Sequence, residues 1–169
     1  MGEQTAKAPG LNRAKTYQLV LFPLNNGATN VYYVLVLSYI ATFGSKVLAL
    51  SMLFASVMVT GMRLFDAITD PIIGALMDRT NGKFGKFRPF MVIGNLIMAA
   101  SILALYCLTP LIPASAMALR YVSFVALYAV WVIGYTFQTS CTRSGQTVLT
   151  NDPKQRPLFT IFNLSLIHI

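Results

Sequence analysis

Four apolar stretches follow one another along this chain, and each is long enough to cross a lipid bilayer. They cover residues 19–43, 47–77, 90–108 and 116–141. A helix that spans the hydrocarbon core needs about 20 mostly apolar residues. Because lipid offers the backbone no hydrogen-bond partners, this pattern predicts an all-α, polytopic membrane bundle of about four transmembrane helices. A fifth apolar stretch begins near Leu158.

The composition agrees with a membrane protein. Hydrophobic residues make up 56% of the chain and charged residues 11%, whereas about 25% of a soluble domain is charged. A formal charge of +8 would also suit a nucleic-acid-binding protein. The basic residues lie between the apolar stretches, however, so membrane topology explains them better, and we expect no nucleic-acid partner.

The basic residues are distributed unequally between the two sides of the predicted bundle. One side has Lys46 and Arg120. The other side has nine cations: Lys7, Arg13, Lys15, Arg79, Lys83, Lys86, Arg88, Lys154 and Arg156. Cytoplasmic loops are enriched in Lys and Arg. The sequence therefore predicts a multi-pass protein of the plasma or inner membrane with its N-terminus in the cytoplasm.

Three segments follow from this pattern. Residues 1–16 form a cytoplasmic N-terminal segment, residues 17–157 contain four transmembrane helices with their loops, and residues 158–169 begin a fifth helix. We expect this last segment to be truncated. The run 165–169 is similar to the translated adapter tails found on truncated reads. A native and a non-native origin of this run both stay open, so His168, the single histidine of the chain, carries no functional weight.

Three ionisable side chains interrupt the second apolar stretch. Arg63, Asp66 and Asp70 lie three and four residues apart, which places them on one face of a helix. A charge at bilayer depth costs roughly 2.5–3.5 kcal/mol, so such charges usually have a function. Carboxylates can take up a proton or bind sodium, which prefers hard oxygen ligands. We predict that Asp66 and Asp70 hold a coupling cation and that Arg63 tunes their electrostatics; the alternative is a structural Arg–Asp pair.

Polar side chains also collect near the end of the fourth apolar stretch, at Tyr135, Gln138, Thr139 and Arg143. A sugar is bound by an aromatic face together with polar partners, and these residues supply both. We therefore predict that they bind a solute. The alternative is a polar helix end at which the arginine extends to the membrane interface.

Amides occur within the first apolar stretch, at Asn25 and Asn26. Amides inside a membrane span usually face other helices or a cavity. Hydrogen bonding to a solute and hydrogen bonding between helices explain these two residues equally well, and both interpretations stay open.

The basic loop between the second and third stretches contains Asp78, Arg79, Lys86 and Arg88. Ion pairs among these residues would latch one conformation of a transporter and break in another. Composition alone favours the simpler interpretation, in which the loop fixes topology by its positive charge.

Two of these motifs together resemble a known family. The order Arg-x-x-Asp-x-x-x-Asp-Pro at residues 63–71 and the run Gly-Lys-Phe-Arg-Pro at residues 85–89 resemble the glycoside–pentoside–hexuronide:cation symporters, the melibiose permease group of the major facilitator superfamily. The resemblance covers residues 17–159. It implies a twelve-helix fold of two six-helix halves that works by alternating access, with this chain as the N-terminal fragment that contains the first four helices.

The resemblance also implies roles for individual residues. Asp66 and Asp70 match the acids of the family's cation site, and Thr136 matches a threonine of the fourth helix that helps to bind sodium. Asp78 and the run 85–88 match the family's cytoplasmic loop, which favours the latch interpretation.

The sequence departs from the family pattern at three positions. Thr139 stands where the melibiose permease has an aspartate, Arg143 stands where it has an aromatic sugar platform, and its first-helix aspartate falls near Gly27. Specificity for galactosides is therefore not expected, and the coupling ion is either sodium or a proton.

The predicted function is cation-coupled symport of a sugar or glycoside, with the lipid bilayer and the missing C-terminal half as partners and with no cofactor. Two alternatives are a small non-transporting membrane module, such as a sensor or assembly partner, and a transporter of lipid or another solute with the same fold. An enzyme is not expected, since the sequence has no histidine cluster, Ser–His pair or metal-ligand spacing.

Overall fold

The computed structural model describes residues 13–80, 87–150 and 152–168, and every regular element in these ranges is helical. A π-helical turn and a short 3-10 turn extend α3 to Leu111, and another 3-10 turn precedes α4. This confirms the predicted all-α class. The helices are α1 (Thr16–Lys46), α2 (Met52–Arg79), α3 (Arg88–Leu103), α4 (Met117–Leu149) and α5 (Gln155–His168).

Three helical stretches of the described residues are long and apolar enough to cross a membrane, namely Met52–Arg79, Arg88–Leu111 and Ala114–Gly145. The helix α1 has 31 residues, which is more than a span needs. It is not among these three stretches. The predicted role of α1 as a further span therefore stays a prediction.

The connection between α1 and α2 lies further along the chain than the apolar pattern indicates. The helix α2 begins at Met52, not at residue 47. Leu48 and Leu50 lie in the non-helical connection and are buried in the core, at 0% and 3% exposure. Their apolar character thus serves core packing and does not mark the start of a helix. Ala49 between them lies in the left-handed region, with φ at 56°.

Arg120 ties the connections at this end of the bundle together. Its Nη1 donates to the Leu48 carbonyl at 3.0 Å, and its Nε and Nη2 donate to the Ile112 carbonyl at 3.0 and 2.7 Å. The guanidinium thus satisfies carbonyls of the α1–α2 and the α3–α4 connections, which would otherwise lack partners.

A core of apolar and aromatic side chains fills the space between α1, α2, α3 and α4. The contact between α3 and α4 is the closest, because Gly94 and Gly134 face each other there. A Cβ built on Gly134 would lie 3.0 Å from the Gly94 carbonyl oxygen. Glycines allow such close helix approach in membranes. The buried core consists of Val36, Ile40, Leu48, Leu50, Met62, Met98, Leu105, Phe124, Tyr128, Trp131 and Val132.

The segment before α1 is fastened to the connection between α4 and α5, at the end opposite Arg120. Arg13 Nε donates to Asp152 Oδ2 at 2.8 Å. The backbone of Ala14 exchanges two hydrogen bonds with the side chain of Gln155, at 2.9 and 3.2 Å. Below these contacts Leu19 packs against Phe159. We call Arg13, Ala14, Asp152 and Gln155 the terminal clamp.

Asp152→Asn is expected to lower the melting temperature of the protein by a few degrees at neutral pH. The Lys154 backbone N–H and the Arg13 guanidinium hold the pKa of the Asp152 carboxyl below its ordinary value. A carboxyl whose pKa is lower in the folded state stabilises that state above its unfolded pKa, about 3.9, and loses this effect as the pH falls through the folded pKa. Melting temperatures measured from pH 7 to pH 3 should therefore converge at the acidic end. A constant difference across this range would contradict the role of the charge.

Candidate functional site

Asp66 on α2 and Thr136 on α4 meet at the centre of the predicted cation site. Thr136 Oγ1 donates to Asp66 Oδ1 at 2.6 Å, and it lies 3.4 Å from Thr69 Oγ1. Thr136 is fully buried. The two helices therefore present a carboxylate and two hydroxyls to one point, which is an oxygen-rich set suited to a small hard cation.

Asp70 lies one helical turn further along α2 and faces Arg143. Arg143 Nη1 is 3.6 Å from Asp70 Oδ2. The other carboxylate oxygen, Oδ1, is buried and has no hydrogen-bond partner among the described residues. A buried oxygen without a partner costs free energy, and a bound cation or a proton would remove this cost.

Arg63 does not contact the two carboxylates. Its guanidinium carbon lies 4.9 Å from the centre of the Tyr33 ring. In the ranges that the structure describes, it forms an ion pair with neither Asp66 nor Asp70. Arg63 and Asp66 do line one small cavity, so the positive charge stays near the site. The tuning role of Arg63 remains a prediction, with Tyr33 as the group that positions it.

Aromatic rings connect α1 and α4 next to the carboxylates. Tyr33 stacks on Tyr135 with ring centres 4.2 Å apart and an angle of 14°. Trp131 stacks on Tyr135 at 5.8 Å and on Tyr128 at 5.9 Å. Tyr33 is not among the residues that the sequence predicts for the site. Its position two turns after Asn26, on the polar side of α1, is the signal that would have identified it.

The other predicted solute-binding residues of α4 have different surroundings. Gln138 is fully buried, and its Nε2 donates to the Met91 carbonyl of α3 at 2.5 Å. Thr139 Oγ1 is 3.2 Å from the Tyr135 carbonyl, to which it can donate. The structure thus draws Gln138 into the α3–α4 contact, while Tyr135 lines a small cavity with Asp66 and Arg143 faces Asp70.

The two amides of α1 are used differently. Asn26 Nδ2 donates to Asn163 Oδ1 on α5 at 2.5 Å, which is the interhelical bond that one interpretation predicted. Asn25 Nδ2 is buried and has no partner among the described residues. Of the two, Asn25 therefore has a donor left for a solute.

The predicted latch residues lie where α2 ends and α3 begins. Asp78, Arg79 and Arg88 are exposed there, and Lys86 lies outside the described residues. The latch stays a prediction. No cluster of three or more His, Cys, Asp or Glu side chains occurs in the part of the chain that the structure describes, so the two aspartates and the hydroxyls are the groups that would hold sodium.

Comparison with known proteins points to transport. The sequence pattern of a family described as MFS/sugar transport protein matches residues 22–166. The chain is 31% identical to the inner membrane symporter YicJ of Escherichia coli (strain K12) over 80% of this chain and 28% of that protein. It is 32% identical to the putative glycoside/cation symporter YagG of the same organism over 69% of this chain and 25% of that protein.

A similar relative occurs in another bacterium. The chain is 40% identical to the uncharacterized symporter YnaJ of Bacillus subtilis (strain 168) over 48% of this chain. The matches cover 17% to 28% of the lengths of these three relatives.

Proposed function

The chain belongs to the family of MFS sugar transport proteins, and from this premise we propose that it carries the cation site of a secondary symporter. The symporter moves a sugar or glycoside together with sodium or a proton. The relatives named as symporters support this proposal, and they do not favour a non-transporting membrane module.

The observation that carries the proposal is the meeting of Asp66 with Thr136 across α2 and α4, beside the unpartnered oxygen of Asp70. A cation at this point would be held by both helices at once. Its binding would therefore fix their relative positions, which is how occupancy of a site can bias a transporter between conformations. Thr69 would add a second hydroxyl.

Thr136 suits either coupling ion. Its hydroxyl has one proton and lies within reach of two acceptors, Asp66 Oδ1 at 2.6 Å and the Val132 carbonyl at 3.0 Å. When Asp66 is charged, the hydroxyl donates to it. When Asp66 holds a proton, the hydroxyl turns to Val132 and accepts from the acid. The site is thus satisfied in both protonation states.

The solute side of the site is assigned to Tyr135, Thr139, Arg143 and the free amide of Asn25. These groups supply an aromatic ring and several polar partners, of which Arg143 lies beside Asp70. Binding would take place near the bilayer midplane, where secondary transporters hold their substrates.

We also propose an orientation. The N-terminus and the basic loops face the cytoplasm, and the membrane is the plasma or inner membrane. The excess of Lys and Arg on one side supports this. A glycosylation or thiol-labelling map of the loops would test it.

Gradient-driven uptake tests the function and identifies the coupling ion. The complete gene product is reconstituted in liposomes, and accumulation of a labelled glycoside is measured under an inward sodium gradient or an inward proton gradient. We expect accumulation with one gradient and its loss when an ionophore removes that gradient. Equal equilibration without any gradient would contradict symport.

Tyr33→Leu is expected to raise the half-saturating concentration of the coupling cation. Without the ring, Arg63 is free to approach Asp66 and compete with the cation. A cation–π contact contributes about 0.5–2 kcal/mol, so the expected rise is about two- to thirtyfold. Tyr33→Phe retains the ring and should behave as the wild type.

Tyr39→Leu is the matched control for this change, because Tyr39 is an exposed tyrosine of the same helix at 61% exposure. The measurement is uptake as a function of cation concentration. If Tyr33→Phe raised the half-saturating concentration as much as Tyr33→Leu does, the ring would not be the feature that positions Arg63.

A further inference from the structure

Arg143 lies within the apolar stretch Ala114–Gly145, yet its guanidinium faces a carboxylate of α2. A basic side chain near the end of a membrane helix usually extends to the membrane interface. Side chains on a helix tilt towards its N-terminus, and this direction brings Arg143 Nη1 to 3.6 Å from Asp70 Oδ2. The guanidinium therefore lies at one of the two carboxylates that are proposed to hold the coupling cation.

The charges around these carboxylates balance without a bound ion. Asp66 and Asp70 supply two negative charges on α2. Arg63 and Arg143 supply two positive charges. A sodium ion added to this set leaves a positive charge in excess, and an unbalanced charge inside a membrane protein is costly. Loss of the Arg143 charge leaves a negative charge in excess, which attracts a cation. Arg143 and a sodium ion are thus electrostatic alternatives.

The guanidinium and a sodium ion also compete for the same oxygen atom. Asp70 Oδ1 is buried, so Oδ2 is the oxygen that meets an approaching ion. Arg143 Nη1 already lies 3.6 Å from this Oδ2. An ion bound there would sit within a few ångströms of the guanidinium, a distance at which two like charges repel strongly outside bulk water. Sodium binding at Asp70 therefore requires Arg143 to move away.

The contact between Arg143 and Asp70 is loose enough to open. Its distance of 3.6 Å exceeds the 2.7–2.9 Å typical of a charge-assisted hydrogen bond. The Arg143 side chain is 75% exposed, and among the described residues it has no other hydrogen bond or ion pair that would fix it. The guanidinium thus balances the charge of Asp70 and can still be displaced, at a cost that the incoming cation has to meet.

We propose that Arg143 is a tethered competitor of the coupling cation, whose guanidinium takes the place of a sodium ion at Asp70 and so weakens sodium binding to the whole site. The inference rests on the proposed function and deepens it, because it assigns the control of sodium affinity to one residue of α4. This control acts on the empty site, so it needs no solute.

Sodium binding to the purified complete protein tests the proposal without any transport. The melting temperature in mild detergent is followed while sodium chloride replaces choline chloride at constant ionic strength. An ion that binds the folded state raises this temperature by mass action, which gives the dissociation constant for sodium. An exposed ion pair shifts an equilibrium by up to about fivefold, and a partly buried pair shifts it further. Arg143→Gln should therefore lower this constant by at least about fivefold.

Three further variants separate competition at Asp70 from other effects of charge. Arg143→Lys keeps a positive charge and should bind sodium as weakly as the wild type. Lys154→Gln is the matched control, since it removes a positive charge from an exposed position outside the span and should leave the dissociation constant unchanged. When Asp70→Asn is already present, Arg143→Gln should bring no gain. Melting temperatures in choline chloride alone show that each variant is folded.

The outcomes distinguish the inference from the function beneath it. If Arg143→Gln binds sodium no better than the wild type, or if neither binds it, Arg143 is not the group that limits sodium binding and the inference fails. An equal gain in the presence of Asp70→Asn would also overturn it, because the guanidinium would then act as a distant charge. Gradient-driven uptake decides symport separately: a gain in sodium affinity in a protein that accumulates no solute would remove the proposed function and leave the competition in place.

Discussion

Asp66→Asn is expected to abolish gradient-driven solute uptake while the bundle still inserts and folds. Asparagine has nearly the same shape and still accepts a hydrogen bond from Thr136, whose Oγ1 lies 2.6 Å from the carboxylate oxygen. It has no charge to neutralise a cation and takes up no proton near neutral pH. A lost charged contact of about 3 kcal/mol corresponds to about two orders of magnitude in cation affinity, so accumulation at ordinary cation concentrations should disappear.

Exchange of labelled for unlabelled solute without an ion gradient is the companion measurement, because it requires binding and movement but no net coupling. Asp152→Asn is the matched control, since it makes the same chemical change in the terminal clamp, outside the site, and should leave the ion dependence of uptake unchanged. Asp70→Asn should abolish coupling as Asp66→Asn does. Normal gradient-driven uptake in both site variants would contradict the assignment of these acids to the cation.

The sequence predicts that the two carboxylates share a helix face because their signal is local. Charges three and four residues apart in an apolar stretch identify a helix face by periodicity alone, and their cost in lipid is the reason for expecting a function. The positions of α2, α3 and α4 follow from the same local signals. Thr136 was predicted as a cation ligand only through the family resemblance. In the structure it contacts Asp66, and its role as a ligand stays a prediction.

The partners across helices could not be predicted in the same way. Spacing places Arg63 beside Asp66 on one helix, but it does not say which group from another helix will compete for the guanidinium. The ring of Tyr33 on α1 contacts the Arg63 guanidinium, and Arg143 on α4 forms an ion pair with Asp70. Both results depend on how the helices rotate against each other, which local periodicity leaves undetermined.

The apolar residues 48 and 50 were interpreted as part of a membrane helix, although they are buried residues of a connection. Leu48 and Leu50 read as the start of a membrane helix because they are apolar, yet they fill the core from a connection whose carbonyls Arg120 satisfies. Gln138 is predicted as a solute ligand because it is polar; its Nε2 joins α3 to α4, its buried Oε1 has no partner among the described residues, and the assignment stays a prediction. The two leucines are explained by a tertiary contact, which composition cannot distinguish from a membrane helix.

Gly134→Leu is expected to destabilise the bundle strongly, because the new side chain would force α3 and α4 apart. A Cβ at this position would lie 2.9 Å from Met98 Cγ, 3.0 Å from Ile97 Cγ2 and 3.0 Å from the Gly94 carbonyl oxygen. The two side chains can shift, but the backbone oxygen moves only if α3 moves as a whole. Overpacking a tight contact costs typically 1–3 kcal/mol, and separation of the two helices should bring the cost to at least about 3 kcal/mol.

The control for this change is Gly61→Leu. A Cβ at Gly61 meets nothing within 4 Å, and both substitutions gain the same intrinsic helix propensity. The difference between the two variants therefore isolates the α3–α4 contact. Thermal unfolding and the yield of folded protein in mild detergent measure it, and Gly134→Ala should fall between the wild type and Gly134→Leu. If Gly134→Leu were as stable as Gly61→Leu, α3 and α4 would not pack as closely at Gly94 and Gly134 as the structure has them. The position of α4, and with it the contact between Thr136 and Asp66, would then be in error.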